Sequence, residues 1–418
     1  MNNSTLKILV PYPSAHDKKS VITLLFDNLI PLLKEKIDIK ILRLVYQSTS
    51  IDTSSYENDP VNQVLDIHDY KNAVELVKKE KPDIIYANPY PGFIDFAFST
   101  AGKSLNIPVI NLIFQEPGDL PKFALYKSYM TKFFQNSIPS EGDSSKKTAM
   151  GRGKFITYKF LFMLKTLAAT KMNPLKIAYI LILFLKFYLF PPLMDRRLAI
   201  SIHFLQNEVM KEKLISLGFD QKSLIVTGNP LYDKFFQKTL TKEPSKNRLV
   251  RILFAPDTLY EFGEWTKEQR NSAIENIVKK INKEKNEFDL TVKIHPSATI
   301  LSDYQAIIHQ IDPKIPVYQE GGVQDFLDKI DVLISFTSSS SSVVYSMLAV
   351  VPIIICNFVD LGKREKFLEK GLAYECRTPD ELVPLIKKAI NENPTTKEKR
   401  DQYVKEFLYR DDGKAAQR

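Results

Sequence analysis

Short apolar runs alternate with longer amphipathic stretches along most of the chain. Residues 6–11 read as a buried strand that ends in a Pro/Ser loop containing His16. Over 20–36 the apolar positions Val21, Leu24, Leu25, Leu29, Leu32 and Leu33 recur at helical spacing. Residues 37–45 then read as a strand, 69–81 as an amphipathic helix, 83–87 as a strand, 94–105 as a helix and 108–114 as another strand. Strands separated by helices of this length predict a parallel sheet covered on both faces.

The rhythm breaks over 115–153, where the polar run 137–147 reads as a loop. It resumes with a strand at 198–204, a helix at 207–217 and a strand at 223–227 that leads into Gly228-Asn229-Pro230. The polar stretch 239–247 reads as a linker. A second alternating series follows, with strands at 251–255, 289–294, 317–319, 332–336 and 353–357. Its helices are expected at 267–284, 302–310, 322–329, 340–349 and 379–391, with a charged helix and polar end from 395 onward. Two consecutive series of this kind predict two Rossmann-like α/β domains facing across a cleft, with ligands at the carboxyl ends of the strands. The expected divisions are 1–240, 248–395 and a C-terminal helix and tail at 396–418.

Composition changes this picture little, whereas charge adds to it. The 418 residues are 44% hydrophobic and 26% charged, which suits two globular domains. A net charge of +9 spread along the chain, without an arginine-rich block, fits an anionic ligand or lipid surface better than nucleic acid. Cys356 and Cys376 form neither a CxxC pair nor a metal cluster, and the amino terminus lacks the pattern of a signal peptide; a cytoplasmic setting is expected.

The stretch 155–193 stands apart. Residues 177–193 are almost wholly apolar or aromatic, interrupted by Lys186, and are too few to span a bilayer. Lysines among aromatic and aliphatic residues suit a helix lying in the membrane interface. A peripheral, monotopic contact at the inner face of the cell membrane is the expectation.

Candidate chemistry sits at strand ends. Thr337 and the serines that follow, Ser338, Ser339 and Ser340 among them, lie between a buried strand and an apolar helix. Hydroxyls and free amides at a helix start suit a diphosphate, although capping that helix needs only one serine. Lys293 and His295, two apart on a strand closed by Pro296, project together and suit phosphate or a leaving group. Gly228 and Asn229 form a turn, and Asp257 follows the first strand of the second series; both positions are candidates for donor contact. His16 and Glu116 each follow an apolar strand and are the candidates for a general base. The chain lacks HExxH, Walker A and GxSxG motifs, and neither a metal nor a cofactor is expected.

In their order these features resemble the GT-B fold of UDP-N-acetylglucosamine 2-epimerases, CDP-glycerol glycerophosphotransferases and capsule-polysaccharide glycosyltransferases. The residues that carry the resemblance are 82–116, 204–233, 252–256, 293–296 and 326–355, and Asp412-Gly413-Lys414-Ala415 is similar to a closing motif of some polysaccharide enzymes. The resemblance implies that His295, Ser338, Ser339 and Ser340 contact a UDP- or CDP-linked donor. It also implies that the first domain receives a lipid-linked or glycan acceptor. Two epimerase features are replaced. Asn88-Pro89-Tyr90 stands where an epimerase aspartate is expected, and Asp257-Thr258-Leu259 replaces a His-Arg-Arg-Glu segment. Glu116 matches an epimerase acidic position but is followed by Pro117. Group transfer in cell-surface polysaccharide or glycolipid synthesis is therefore the leading expectation. Sugar-nucleotide 2-epimerisation and a non-catalytic assembly module remain the alternatives.

Overall fold

A computed structural model describes residues 5–11, 21–45, 59–87, 92–114, 152–189, 201–237, 248–261, 264–295, 300–337, 340–359 and 366–418. The chain divides into two compact units. The first comprises Met1–Leu231, Glu406–Arg410 and Lys414–Arg418; the second comprises Tyr232–Lys405 and Asp411–Gly413.

The first unit holds β1 (Leu6–Val10), β2 (Ile39–Val45), β3 (Asn62–Asp66), β4 (Ile84–Tyr86), β5 (Val109–Ile113), β6 (Ile202–Leu205) and β7 (Leu224–Val226). They form a seven-stranded sheet in the order β3-β2-β1-β4-β5-β6-β7, and every described pairing is parallel. The helices are α1 (Val21–Lys34), α2 (Ala73–Glu80), α3 (Phe93–Ser104), α4 (Arg152–Ala169), α5 (Pro174–Leu189) and α6 (Glu208–Ser216). The expected strands are present, and β3 is an addition. Its sequence Asn-Gln-Val-Leu-Asp is polar because it lies at the sheet edge, where the buried Arg43 of β2 donates to Asn62 at 2.6 Å.

The apolar stretch 155–193 resolves into two helices with different surroundings. On α4, Phe162, Met163 and Leu167 are buried in the same core as Leu76 and Val77 of α2 and Phe98 and Ala101 of α3. The Thr166 hydroxyl accepts from the Ala73 amide at 3.0 Å and donates to the Phe162 carbonyl at 2.8 Å. Lys159 is loaded by burial, which lowers its pKa, while the neighbouring Asp95 charge offsets part of that cost. The expectation of an interfacial segment is therefore corrected for α4, whose apolar face fills the protein's own core. The following helix, α5, buries Ile180 in that core yet leaves Leu175, Tyr179 and Ile182 exposed. Among the described residues no helix is long and apolar enough to cross a membrane.

The second unit holds β8 (Val250–Ala255), β9 (Phe288–Lys293), β10 (Val317–Tyr318), β11 (Val332–Ser335), β12 (Ile353–Cys356) and β13 (Tyr374–Cys376). The six strands are parallel in the order β10-β9-β8-β11-β12-β13. Its helices begin with α7 (Asp233–Gln237), α8 (Lys267–Lys283), α9 (Leu301–His309) and α10 (Ser341–Leu348). They continue with α11 (Lys366–Glu369), α12 (Leu382–Asn391) and α13 (Lys397–Tyr403). A Thr266/Gln269 capping box starts α8. The helix expected over 322–329 is instead two 3-10 turns, Val323–Asp325 and Leu327–Lys329. The Asp325 carboxylate turns back to the Gly322 amide at 2.8 Å and tightens that segment. Cys356 and Cys376 are paired in register on β12 and β13, buried and free.

Candidate functional site

In the second unit β9, β8 and β11 are neighbours, so their carboxyl ends open on one edge of the sheet. Ligand sites form at such edges because helix starts and loop amides converge there. Beyond β8 the chain runs through Pro256 to Asp257. The Asp257 Oδ2 atom accepts from the Ser335 hydroxyl at 2.8 Å and from the amides of Phe336 and Thr337 at 2.9 Å each. One carboxylate oxygen thus pins the exit of β11 and fixes where the serine loop begins. Burial pushes this acid up to about 6, against the pull of the Ser335 hydroxyl, the two amides and the Ser340 hydroxyl.

Ser340 then takes the N-cap of α10, accepting from the Ser342 amide at 3.4 Å, with its hydroxyl 2.7 Å from that of Ser342. Asp257, expected apart from Thr337 and Ser340, is therefore brought to the same loop. Ser338 and Ser339 lie outside the described residues, as do His16, Glu116 and Pro296.

At the end of β9 the two candidates differ. Lys293 is buried, and its ammonium donates to the carbonyls of Ile294 at 2.7 Å and Gln319 at 3.1 Å, tying the ends of β9 and β10 together. His295 is exposed at the strand end. Its pKa is lowered, first by desolvation of the ring and then by the Lys293 charge. At neutral pH the ring is therefore held in its uncharged form, able to donate from one nitrogen and accept at the other.

Behind this edge lies a cluster that sequence reasoning missed. Arg270 of α8 is buried between the rings of Tyr260 (4.6 Å) and Tyr304 (5.0 Å) and reaches Glu261 at 3.4 Å. The Tyr304 hydroxyl donates to the same carboxylate at 2.9 Å, and burial beside that charge raises its pKa well beyond the ordinary phenol range. Trp265 packs on Phe336 at 4.8 Å and connects this cluster to the serine loop. One signal was available: Arg270 occupies the row of Ala273, Ile274 and Ile277, the buried face of an otherwise ordinary amphipathic helix.

Gly228 and Asn229 belong to the first unit and have a different set of contacts. Gly228 has φ +84, and a Cβ there would lie 3.1 Å from the Cβ of Ala415. Asn229 donates to Gln206 at 3.2 Å and accepts from the Leu231 amide at 3.0 Å. Gln206 and Asn207 both donate to the Phe407 carbonyl, at 2.9 and 2.5 Å, and Arg418 donates to the Thr227 carbonyl at 3.2 Å. The turn is a seat for the chain's own C-terminal segment, and Ala415 of the closing motif sits on it.

No family model matches the chain, and no curated protein matches it in sequence. Its fold has clear counterparts among solved structures. A UDP-N-acetylglucosamine 2-epimerase matches at TM-score 0.53 and 15% identity, over 100% of this chain and 94% of that one. The UDP-GlcNAc 2-epimerase of Neisseria meningitidis, bound to UDP-GlcNAc, matches at 0.51 and 13%, over 99% and 97%. The glycosyltransferase of kitacinnamycin matches at 0.50 and 10%, over 99% and 98%. The chain has the GT-B fold. At these identities the likeness is one of fold, and GT-B proteins of both kinds, epimerase and glycosyltransferase, are its structural neighbours.

Proposed function

We propose that the protein is a transferase that moves a sugar, or glycerol phosphate, from a UDP- or CDP-linked donor to a lipid-linked or glycan acceptor in cell-surface polysaccharide or glycolipid synthesis. The observation that carries this reading is the loop after β11. Asp257 holds its amides and Ser335 in place, Ser340 caps the helix beyond it, and His295 stands at the end of β9 on the same sheet edge. Hydroxyls at a helix start, held beforehand, bind a diphosphate without reorganisation when charge grows on the leaving group. An uncharged His295 can donate a hydrogen bond to a phosphate oxygen from one ring nitrogen and accept from a sugar or ribose hydroxyl at the other. The proton on the acceptor hydroxyl falls to His16 or Glu116 in this reading.

Fold similarity to an epimerase bound to UDP-GlcNAc supports a nucleotide-sugar ligand and also favours a second reading, sugar-nucleotide 2-epimerisation. Against it stands the β8 exit, where Asp257-Thr258-Leu259 replaces the His-Arg-Arg-Glu segment and Asp257 is spent on the serine loop. Incubation with UDP-GlcNAc and no acceptor separates the two. Transfer predicts unchanged donor, whereas appearance of the 2-epimer at catalytic rates would replace the transferase reading. Release of UDP or CDP for sugar transfer, or of CMP for glycerol-phosphate transfer, only when a membrane extract supplies acceptor is the expected positive result.

A further inference from the structure

We infer that the outward face of α5 is a docking surface for an anionic lipid bilayer, on which the helix lies flat. The helix starts cleanly: Asn173 caps it by accepting from the Leu175 amide at 2.8 Å, and Pro174 takes the first helical position. Its inner row is anchored, with Ile180 buried in the first unit's core and Ile177 and Leu181 packed against that core. The opposite row is Leu175, Tyr179 and Ile182, spaced i, i+4, i+7, and these residues are 80%, 56% and 62% exposed. A helix that is apolar on both sides needs a second apolar medium, since large side chains in a row on a solvated face cost free energy.

Charge identifies that medium. Between residues 152 and 193 there are seven lysines and arginines and no aspartate or glutamate. Lys171 and Lys176, both exposed, flank Leu175 at the start of the helix. Lysines at the start of an apolar row are complementary to anionic headgroups over acyl chains. A second copy of the chain would bring like charges together, which disfavours self-association through this face. With sixteen residues the helix is about 24 Å long, short of the roughly 30 Å of a bilayer's hydrocarbon, so it lies along the interface. The inference deepens the acceptor side of the proposed function and rests on that reading only for its purpose. A donor site would work on a surface where a lipid-linked acceptor is confined.

The test is sedimentation of the full-length protein with phosphatidylcholine vesicles, with and without phosphatidylglycerol, in the absence of any nucleotide. Wild type is expected to bind the anionic vesicles. The triple variant Leu175→Ser, Tyr179→Ser, Ile182→Ser is expected to lose about tenfold or more in partitioning with an unchanged melting temperature. Lys171→Glu with Lys176→Glu is expected to lose about fivefold per lysine on anionic vesicles only. No binding by wild type, or equal binding by the triple variant, overturns the inference. So does a wild-type dimer that the triple variant dissolves while vesicles bind neither. Because no nucleotide is present, these outcomes stand apart from those of the donor reading.

Discussion

Two strand-end loops, one in each unit, are both candidates for donor contact and are used differently. The turn after β7 is filled by the protein itself: Gly228 touches Ala415, and Gln206 and Asn207 hold the Phe407 carbonyl. The loop after β11 is held from beneath by Asp257, while His295 at the end of β9, across β8 in the same sheet, stays exposed. Both loops have the turn chemistry that marks a ligand site, namely glycine, asparagine, serine and threonine at a strand end. What separates them is the partner: a C-terminal segment takes the first turn, whereas a carboxylate at the exit of β8 takes the amides that begin the second loop. The first is a seat for a tail; the second, a braced loop on the same sheet edge as the imidazole, is the one proposed as a donor site.

Several experiments would break or sharpen that contrast. The largest effect is expected from removing residues 407–418. This strands the buried amides of Gln206 and Asn207, and each buried polar group left unpaired costs about 1–3 kcal/mol. The first unit should unfold at markedly lower urea concentration while the second unit's transition stays put; coincident loss of both would merge the two regions. Next, Asp257→Ala deprives Ser335, Phe336 and Thr337 of their shared acceptor, at an expected cost of about 2–3 kcal/mol in the second unit's urea transition. The same variant should lose nucleotide binding, and retention of full affinity would detach Asp257 from the site.

Gly228→Ala is expected to cost about 1–2 kcal/mol, from a strained positive φ and the contact with Ala415, without changing nucleotide affinity. A change in affinity would return the turn to the donor site. The smallest effect is one of pH. Because the folded Asp257 acid is raised to about 6, above its ordinary value near 4, its contribution to stability is full below about pH 4 and is lost as pH rises through 6. The second unit's urea midpoint should therefore fall between pH 4 and 6, with a shallower slope in Asp257→Asn.

Most of the parallel sheets was legible because buried strands such as β11 and β12 are apolar runs bounded by turn residues. The edge strands β3 and β13 were not, since an edge tolerates the polar sequences Asn-Gln-Val-Leu-Asp and Tyr-Glu-Cys. The candidate site was half legible. Hydroxyl-rich sequence between strand and helix located the loop, but nothing in Ala-Pro-Asp-Thr tells that Asp257 reaches across to β11. Lys293 illustrates the reverse limit, for strand alternation set its face and could not foresee that its ammonium is taken by two carbonyls. The pair α4 and α5 adds a further lesson. Similar composition produced a core helix and a half-exposed one, because Thr166 and Phe162 meet α2 and α3 while Leu175 and Tyr179 stay exposed.

The donor site itself is tested most directly by the melting temperature of wild type and His295→Ala in the presence of nucleoside mono- and diphosphates. His295 is exposed, so the variant alone should melt within about 2 °C of wild type. The account predicts that UDP or CDP raises the wild-type melting temperature, more than the monophosphates do, and that the rise largely disappears in His295→Ala. No rise with any nucleotide, or an equal rise in the variant, would contradict it.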